Sequence, residues 1–273
     1  NVRLSNSSSE TATGGQATTR LLSGTVQTVV RITAWTCDDT TSGCPVGAAG
    51  RIATQSDRIV ISTGVFDQNS FSLSQNKTNI DARNRDGEEV EFTILGGDRF
   101  NNPVPDGTVI AFRAEAGLIQ SQCQTTDGAC TVTWRSQTSN SVPRITVLAF
   151  SVGEESFVDS NGDGRYQSTD TLEADLAEAF VDANENGTFE SPPDTFIDFN
   201  NNGAFDATPD GGFTGLLCDS GCSTTGASAL NVRDSGIIVI SGPEPVFDQA
   251  SDTRTTKGPI TTNCGPNFVS CSI

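Results

Sequence analysis

Apolar residues occur along this chain in short runs, and within these runs they alternate with polar residues. Val90, Phe92 and Ile94 alternate in this way, which places all three on one face of a strand. Turn-forming sequences such as Asp86-Gly87 separate the runs at intervals of about 8–12 residues. The pattern predicts an all-β fold of short strands, arranged as β-sandwich units.

An internal repeat indicates how the strands are grouped. Arg31-Ile32-Thr33 recurs as Arg144-Ile145-Thr146, 113 residues later, whereas Ile59-Val60-Ile61-Ser62 recurs as Ile238-Val239-Ile240-Ser241, 179 residues later. The change of offset indicates an insertion of roughly 65 residues between the two halves of one repeat. We therefore predict that residues 153–217, approximately, form a module set into a loop of a larger domain.

The predicted insertion is strongly acidic. Residues 154–211 contain 15 of the 34 Asp and Glu residues of the chain and a single basic residue, Arg165. The formal net charge of the whole chain is −18. A surface of this sign repels nucleic acid and anionic lipid, so neither is an expected partner. It needs cations to neutralise it.

Three stretches of the insertion share a pattern of calcium ligands: loop 1 (157–166), loop 2 (180–189) and loop 3 (196–205). Position 1 of each loop is the aspartate that is the third residue of the stretch. Each loop offers side-chain oxygens at positions 1, 3 and 5, a glycine at position 6, a main-chain carbonyl at position 7 and an aromatic residue at position 8. Ca²⁺ takes about six to eight oxygen ligands, which a tight loop supplies from alternate positions. The predicted ligands at positions 1, 3, 5 and 7 are Asp159, Asn161, Asp163 and Arg165 in loop 1, Asp182, Asn184, Asn186 and Thr188 in loop 2, and Asp198, Asn200, Asn202 and Ala204 in loop 3.

A carboxylate at position 12 closes a loop of this kind. Asp170 holds that position in loop 1, which resembles the Asp-terminated loops of dockerins more than the Glu-terminated loops of EF-hands. Prolines hold it in loops 2 and 3, so the predicted closing ligands there are Asp194 and Asp210, one residue later. These two loops resemble the calcium-binding repeats of extracellular bacterial proteins and of thrombospondin type 3 segments.

The module between and around the loops is expected to be mostly irregular. Leu172, Leu176 and Phe180 recur at helical spacing, which predicts one short helix between loops 1 and 2. An acidic, solvated linker is the alternative interpretation of the whole stretch. Three copies with matched flanking aromatic residues favour calcium, at the affinity of extracellular modules, roughly 10⁻⁴–10⁻³ M. Chelation is then expected to disorder residues 154–212.

The sequence ahead of the insertion resembles a known family. The run Asn102-Pro103-Val104-Pro105-Asp106-Gly107-Thr108-Val109-Ile110-Ala111-Phe112 is followed by Gly117, Thr126-Asp127-Gly128-Ala129 and Arg144-Ile145-Thr146. This series resembles the bacterial immunoglobulin-like domains of the invasin/intimin type. The resemblance implies immunoglobulin-like β-sandwiches of a stalk that holds an adhesive tip away from a bacterial surface. It also implies an extracellular or cell-surface location.

On this basis the chain divides into three parts. Residues 1–64 match a partial immunoglobulin-like unit, residues 65–242 a domain carrying the insertion, and residues 243–273 a C-terminal tail. Residues 11–63 supply only the later strands of a unit, whose sheet edge and core would be open. We expect the tail of one copy to complete the N-terminal unit of the next by strand addition, giving a head-to-tail filament. The alternative is a fragment boundary, and the chain, which begins at Asn1 without Met, is taken as processed or as a fragment.

Eight cysteines lie in four close pairs along the sequence. The chain has no His and no CxxC, so local disulfides in an oxidising compartment are favoured over zinc sites. The predicted pairs are Cys37 with Cys44, Cys123 with Cys130, Cys218 with Cys222, and Cys264 with Cys271. No stretch approaches the ~20 apolar residues of a membrane span, so membrane insertion is not expected.

A structural role is favoured over catalysis. Without His the chain lacks the usual general base and the Ser/His and Cys/His pairs, and most candidate carboxylates lie in the calcium loops. We therefore expect no enzymatic activity. A carbohydrate-binding module is the alternative, with Trp35, Trp134 and Tyr166 as candidate platforms, although Trp134 alternates with Val132 and is expected in a core. A docking module of a secreted protein is a weaker alternative, since that resemblance is limited to loop 1.

Overall fold

The predicted all-β fold is confirmed by a computed structural model, which describes residues 2–24, 27–38, 44–137, 142–207 and 211–242. These residues form twenty β-strands and one short 3₁₀ helix at Gln68–Ser70. Residues 1–241 belong to one unit and residues 242–273 to another. The predicted C-terminal tail, 243–273, lies outside the described residues. Among the described residues, no helix has the length and apolar character needed to cross a membrane.

The N-terminal strands form exposed two-stranded ladders. They are Arg3–Leu4 (β1), Leu21–Leu22 (β2), Thr28–Val30 (β3), Thr33–Thr36 (β4), Ile52–Gln55 (β5) and Ile59–Ile61 (β6). β1 pairs with β2, β3 with β6 and β4 with β5, all antiparallel. Val29, Trp35 and Ile52 are exposed, and Cys44 is the one buried apolar residue in the described part of 1–64. These strands therefore pair without a core of their own.

The strands that follow begin a β-sandwich. They are Phe66–Asp67 (β7), Phe71–Gln75 (β8), Asn79–Asp81 (β9), Glu89–Gly96 (β10), Val109–Ala114 (β11), Leu118–Ile119 (β12), Gln122–Gln124 (β13), Ala129–Arg135 (β14) and Arg144–Glu154 (β15). The first sheet has the order β12-β14-β10-β8.

The insertion interrupts the second sheet. It contains Phe157–Val158 (β16), Thr171–Leu172 (β17), Phe180–Val181 (β18) and Thr195–Phe196 (β19), and the chain returns through Leu230–Ser241 (β20). The second sheet has the order β13-β11-β15-β20-β9, with β7 joined to β15. Its ladders are antiparallel except β7–β15 and β9–β20, which are parallel. The two sheets make an immunoglobulin-like sandwich.

The alternating residues of β10 fill the core between the sheets, as predicted. Val90, Phe92 and Ile94 are fully buried. Trp134 of β14 is fully buried as well, and its indole Nε1–H donates to the carbonyl of Ala116 at 2.8 Å. The prediction that Trp134 fills a core is confirmed. Burial of each such side chain contributes about 1.5–3 kcal/mol.

The ladder between β15 and β20 sets the position of the insertion. The two strands share ten consecutive residue pairs. β15 ends at Glu154 and β20 begins at Leu230, so residues 155–229 are inserted between two neighbouring antiparallel strands. The insertion therefore extends past the predicted boundary near residue 217. Within the insertion, Phe213 packs against aromatic rings of loop 1.

The insertion packs onto the outer face of the second sheet. Leu148 of β15 is buried in a cluster with Ala179 and Val181 of the insertion. The hydroxyl of Thr146 donates to the carbonyl of Asp182 at 2.8 Å. These contacts fix loop 2 against β15.

The prediction of a short helix between loops 1 and 2 is wrong. The structure describes all the residues from Leu172 to Phe180. Leu172 lies in β17 and Phe180 lies in β18. Between them, the N–H of Leu176 donates to the carboxylate of Glu155 at 2.6 Å instead of to a helical carbonyl. The helical spacing of three apolar residues is outweighed by the strand pairing that frames the loops.

Three of the four predicted disulfides form in the described residues. They are Cys37–Cys44, Cys123–Cys130 and Cys218–Cys222, with Cα–Cα distances of 5.7, 6.1 and 5.8 Å. Cys123–Cys130 joins β13 of the second sheet to β14 of the first, so it links the two layers of the sandwich.

The fourth disulfide stays a prediction. Its two residues, Cys264 and Cys271, both lie outside the residues that the structure describes.

Candidate calcium loops

Loops 1, 2 and 3 share one backbone conformation. The glycine at position 6 is left-handed in each, with φ of +79° at Gly164, +78° at Gly187 and +79° at Gly203. Glycine occupies this region without the steric cost that a Cβ brings. Position 4 is left-handed too, and in loops 2 and 3 it is held by the non-glycine residues Glu185 and Asn201, both with φ of +59°. This second left-handed position was not predicted from the sequence.

The aspartate at position 1 of each loop accepts hydrogen bonds from the turn. One carboxylate oxygen accepts the N–H of the position-6 glycine at 2.7 Å in Asp159, 2.7 Å in Asp182 and 2.8 Å in Asp198. The other oxygen accepts a second N–H of the same turn. Burial acts to raise the pKa of Asp159, but the N–H bonds from Gly164, Gly162 and Asp163 outweigh it. The pKa is therefore lowered and the carboxylate is held ionised.

The side chains at positions 3 and 5 are fixed by the same two turns in every loop. The Oδ1 atom at position 3 accepts the N–H of position 5, and the Oδ1 atom at position 5 accepts the N–H of position 7. These acceptors are Asn161 and Asp163 in loop 1, Asn184 and Asn186 in loop 2, and Asn200 and Asn202 in loop 3, at 2.7–3.1 Å. A carbonyl or carboxylate oxygen has more than one lone pair, so an oxygen held in this way can still bind a cation.

The closing carboxylates of loops 1 and 2 occupy the same place. Asp170 accepts the N–H of position 2 at 3.0 Å and that of position 9 at 2.9 Å. Asp194 accepts the N–H groups of the same two positions, both at 2.9 Å. The proline at position 12 of loop 2 thus lengthens the loop by one residue and leaves the closing contact unchanged. Both carboxylates are buried. Asp210, predicted for loop 3, lies outside the described residues.

Short ladders frame the loops. β16 pairs with β17 at the base of loop 1, and β18 pairs with β19 at the base of loop 2. In both cases the residues just before position 1 pair with the residues just after the closing carboxylate. Because β19 also leads into loop 3, the β18–β19 ladder connects loops 2 and 3.

Aromatic residues that flank the loops pack into two small clusters. In loop 1, Phe157 and Tyr166 lie 5.1 Å apart between ring centroids. Phe213 packs on both, at 5.0 and 4.8 Å. The rings of loops 2 and 3 form a shared cluster of Phe180, Phe189, Phe196 and Phe205 with centroid distances of 4.1–5.8 Å. Phe213 was missed because it lies outside the ten-residue repeat.

Two buried glutamates at the base of the insertion were also missed by the sequence reasoning. Glu155 accepts the N–H groups of Leu176 and Thr214 at 2.6 and 2.8 Å. Glu154 accepts the N–H of Leu216 at 3.0 Å through Oε2, while its buried Oε1 has no hydrogen-bond partner among the residues that the structure describes. Both residues connect the end of β15 to distant parts of the insertion. Burial raises the pKa of Glu154 to about 7.

The loops offer oxygen donors, the kind that Ca²⁺ takes. Within the described residues, no group of three or more His, Cys, Asp or Glu side chains is placed so that it could hold a metal ion. Loops 2 and 3 each carry one Asp and two Asn at positions 1, 3 and 5. A calcium ion there would therefore depend on amide and main-chain oxygens as well as carboxylates. The side chain of Arg165 pairs with Asp219 at 2.5 Å, so the contribution predicted for Arg165 is that of its carbonyl alone.

No protein-family model matches the chain, and no curated protein matches it. Two solved structures are similar to part of it. The D0-D1 domain of intimin is 20% identical over 55% of this chain and 67% of that one, and the D00-D0 domain of intimin is 12% identical over 54% and 91%. The TM-score is 0.25 in both cases.

Proposed function

We propose that the chain is a structural, non-catalytic part of an extracellular or bacterial cell-surface protein of the stalk or adhesin type, and that Ca²⁺ stabilises its insertion. The observation that carries the proposal is the common hydrogen-bond pattern of the three loops. Their sequences differ at most positions that are not predicted ligands, yet positions 1, 3, 5 and 6 make equivalent contacts in each.

Charge gives the physical reason for a cation requirement. Residues 154–211 carry a formal charge of −14, from 15 acidic residues and one basic residue. The apolar clusters that oppose this repulsion are small, consisting mainly of the loop aromatics and a patch on β15. Three Ca²⁺ ions would remove six of these charges. Each ion bound at a concentration 100-fold above its Kd would add about 2.7 kcal/mol to the stability of the folded insertion.

Calcium binding and its structural effect can be measured on the whole chain. We expect calorimetric titration to detect bound Ca²⁺, and we expect EDTA to increase amide hydrogen exchange in residues 155–229 while β10 and β14 stay protected. Titration with Mg²⁺ is the control, because Mg²⁺ demands a smaller octahedral site and should not restore protection. No heat of binding, together with identical melting in Ca²⁺ and EDTA, would remove the proposal.

The N-terminal ladders support a further part of the proposal, self-association. By the internal repeat, Ile32 and Ala34 correspond to Ile145 and Val147, which are buried in the sandwich. Ile32 is only half-buried and Ala34 is exposed. The face that the sandwich covers is therefore open in the N-terminal copy of the repeat.

We propose that the segment 243–273 of a second copy covers this face and that copies assemble head to tail. Val246-Phe247-Asp248-Gln249 repeats Val65-Phe66-Asp67-Gln68, and Phe66 is fully buried in the sandwich core. Phe247→Ala should then abolish oligomers seen by light scattering and electron microscopy, whereas Val46→Ala, at an exposed site, should not. A monodisperse monomer in the unsubstituted chain would contradict self-association and leave the calcium proposal intact.

A further inference from the structure

A carboxylate that precedes loop 3 in the sequence occupies the closing place of that loop. Oε1 of Glu178 accepts the N–H of Phe199 at 2.8 Å, and Oε2 accepts the N–H of Asp206 at 3.2 Å. Phe199 and Asp206 hold positions 2 and 9 of loop 3. These are the positions whose N–H groups bond to Asp170 in loop 1 and to Asp194 in loop 2.

The main chain repeats the same correspondence. In each loop the N–H of the closing residue donates to the carbonyl of position 9. The pairs are Asp170 to Gln167 at 2.8 Å, Asp194 to Glu190 at 2.9 Å, and Glu178 to Asp206 at 3.2 Å. The agreement therefore does not depend on the rotamer of one glutamate side chain.

Strand pairing explains how a residue ahead of a loop can close it. In loop 2 the residue after the closing carboxylate, Thr195, pairs with Val181, the residue before position 1. In loop 3 the residue after Glu178 is Ala179, and its carbonyl accepts the N–H of Ile197, again the residue before position 1, at 2.7 Å. Loops 2 and 3 are thus built on the two strands of one ladder. The closing residue follows the ligand positions in the sequence of loop 2, whereas it precedes them in loop 3.

We infer that Glu178 is the closing calcium ligand of loop 3, in the place that the sequence alone assigns to Asp210. The inference rests on the proposed calcium function. Glu178 thus gives loop 3 a second carboxylate besides Asp198, as Asp194 gives loop 2 a second carboxylate besides Asp182.

Backbone amide resonances can follow each loop separately during a calcium titration of the ¹⁵N-labelled chain. The N–H groups of Gly164, Gly187 and Gly203 each donate to the position-1 carboxylate of their own loop. In the unsubstituted chain all three should respond. In Glu178→Gln the response of Gly203 should move to at least about tenfold higher calcium, because carboxylate count sets affinity in such loops. Asp210→Asn should leave Gly203 unchanged.

Glu173→Gln is the matched control, since it removes one negative charge from the same connecting segment at an exposed site. A Gly203 response that is normal in Glu178→Gln and lost in Asp210→Asn overturns the inference while the proposed function stands. No response of any glycine in the unsubstituted chain overturns both.

A second variant separates ligation from folding. If Glu178→Gln also alters the Gly187 amide resonance in the absence of calcium, the substitution has disturbed the fold. Glu178→Asp is then the variant to measure, because it keeps the charge on a side chain one methylene shorter. A Gly203 response at lower calcium in Glu178→Asp than in Glu178→Gln supports ligation. Identical behaviour of the two variants overturns it.

Discussion

Replacing Glu154 with glutamine changes the charge at the base of the insertion while keeping its shape. Glu154 is fully buried, and its Oε2 accepts the N–H of Leu216. Burial is the main cause that raises its pKa to about 7; the Leu216 bond opposes this, the nearby carboxylates of Asp67 and Asp98 add to it, and Arg99 opposes it. Glutamine retains an acceptor for Leu216 and carries no charge at any pH.

The direction of the pH dependence follows from where the proton is bound. Between about pH 4.5 and 7 the folded protein holds a proton on Glu154 that the unfolded chain has released, so the free energy of unfolding falls as pH rises through this window. The raised pKa corresponds to about 3 kcal/mol of stability that is present below the window and lost above it. Of this, about 2–3 kcal/mol is lost between pH 5 and 8.

Urea unfolding at pH 5 and pH 8, in excess calcium throughout, measures the effect. We expect the loss of unfolding free energy between the two pH values to be about 2–3 kcal/mol smaller in Glu154→Gln than in the unsubstituted chain. Glu10→Gln, at an exposed position, is the control and should keep the original pH dependence. Equal pH dependence in Glu154→Gln and the unsubstituted chain would refute the reasoning that burial keeps this carboxyl protonated.

Three further variants test contacts within the sandwich and between the sandwich and the insertion. Removing the disulfide with Cys123→Ala and Cys130→Ala should lower the free energy of unfolding by about 2–3 kcal/mol, because the bond closes a short loop between the sheets; unchanged urea midpoints would contradict this. Gly117→Ala should cost about 2 kcal/mol or more, since its φ is +83° and a Cβ would lie 2.4 Å from the Trp134 ring; thermal melting measures it, and an unaltered Tm would count against the contact. Thr146→Val should cost about 1 kcal/mol and speed hydrogen exchange in loop 2, because it removes the bond to the Asp182 carbonyl; exchange as slow as in the unsubstituted chain would show that this bond does not hold the loop.

The strands and the core could be predicted because local patterns determine them. Alternation at Val90, Phe92 and Ile94 identifies the buried face of β10, and the same alternation places Trp134 inside. The position-6 glycines were predictable for a similar reason, since the turn requires a left-handed residue at a fixed place in a short motif. In each case the interacting groups lie close together in the sequence.

Features that depend on distant pairing could not be predicted. Glu178 closes a loop that begins after it, which the positional rule of a twelve-residue loop excludes. Leu172 and Phe180 have helical spacing, yet each is taken up by a ladder with another part of the insertion. Glu154 gives no sign of burial in the sequence, because its environment is made by residue 216 and by the loop around Arg99.

The ladder between β15 and β20 has a mechanical consequence. The chain enters and leaves the insertion at hydrogen-bonded neighbours, so tension applied between Phe66 and Ser241 is carried by the strands of the sandwich. The insertion lies outside this load path. Residues 155–229 can therefore rearrange or unfold without lengthening the chain between Phe66 and Ser241, as long as the β15–β20 ladder holds.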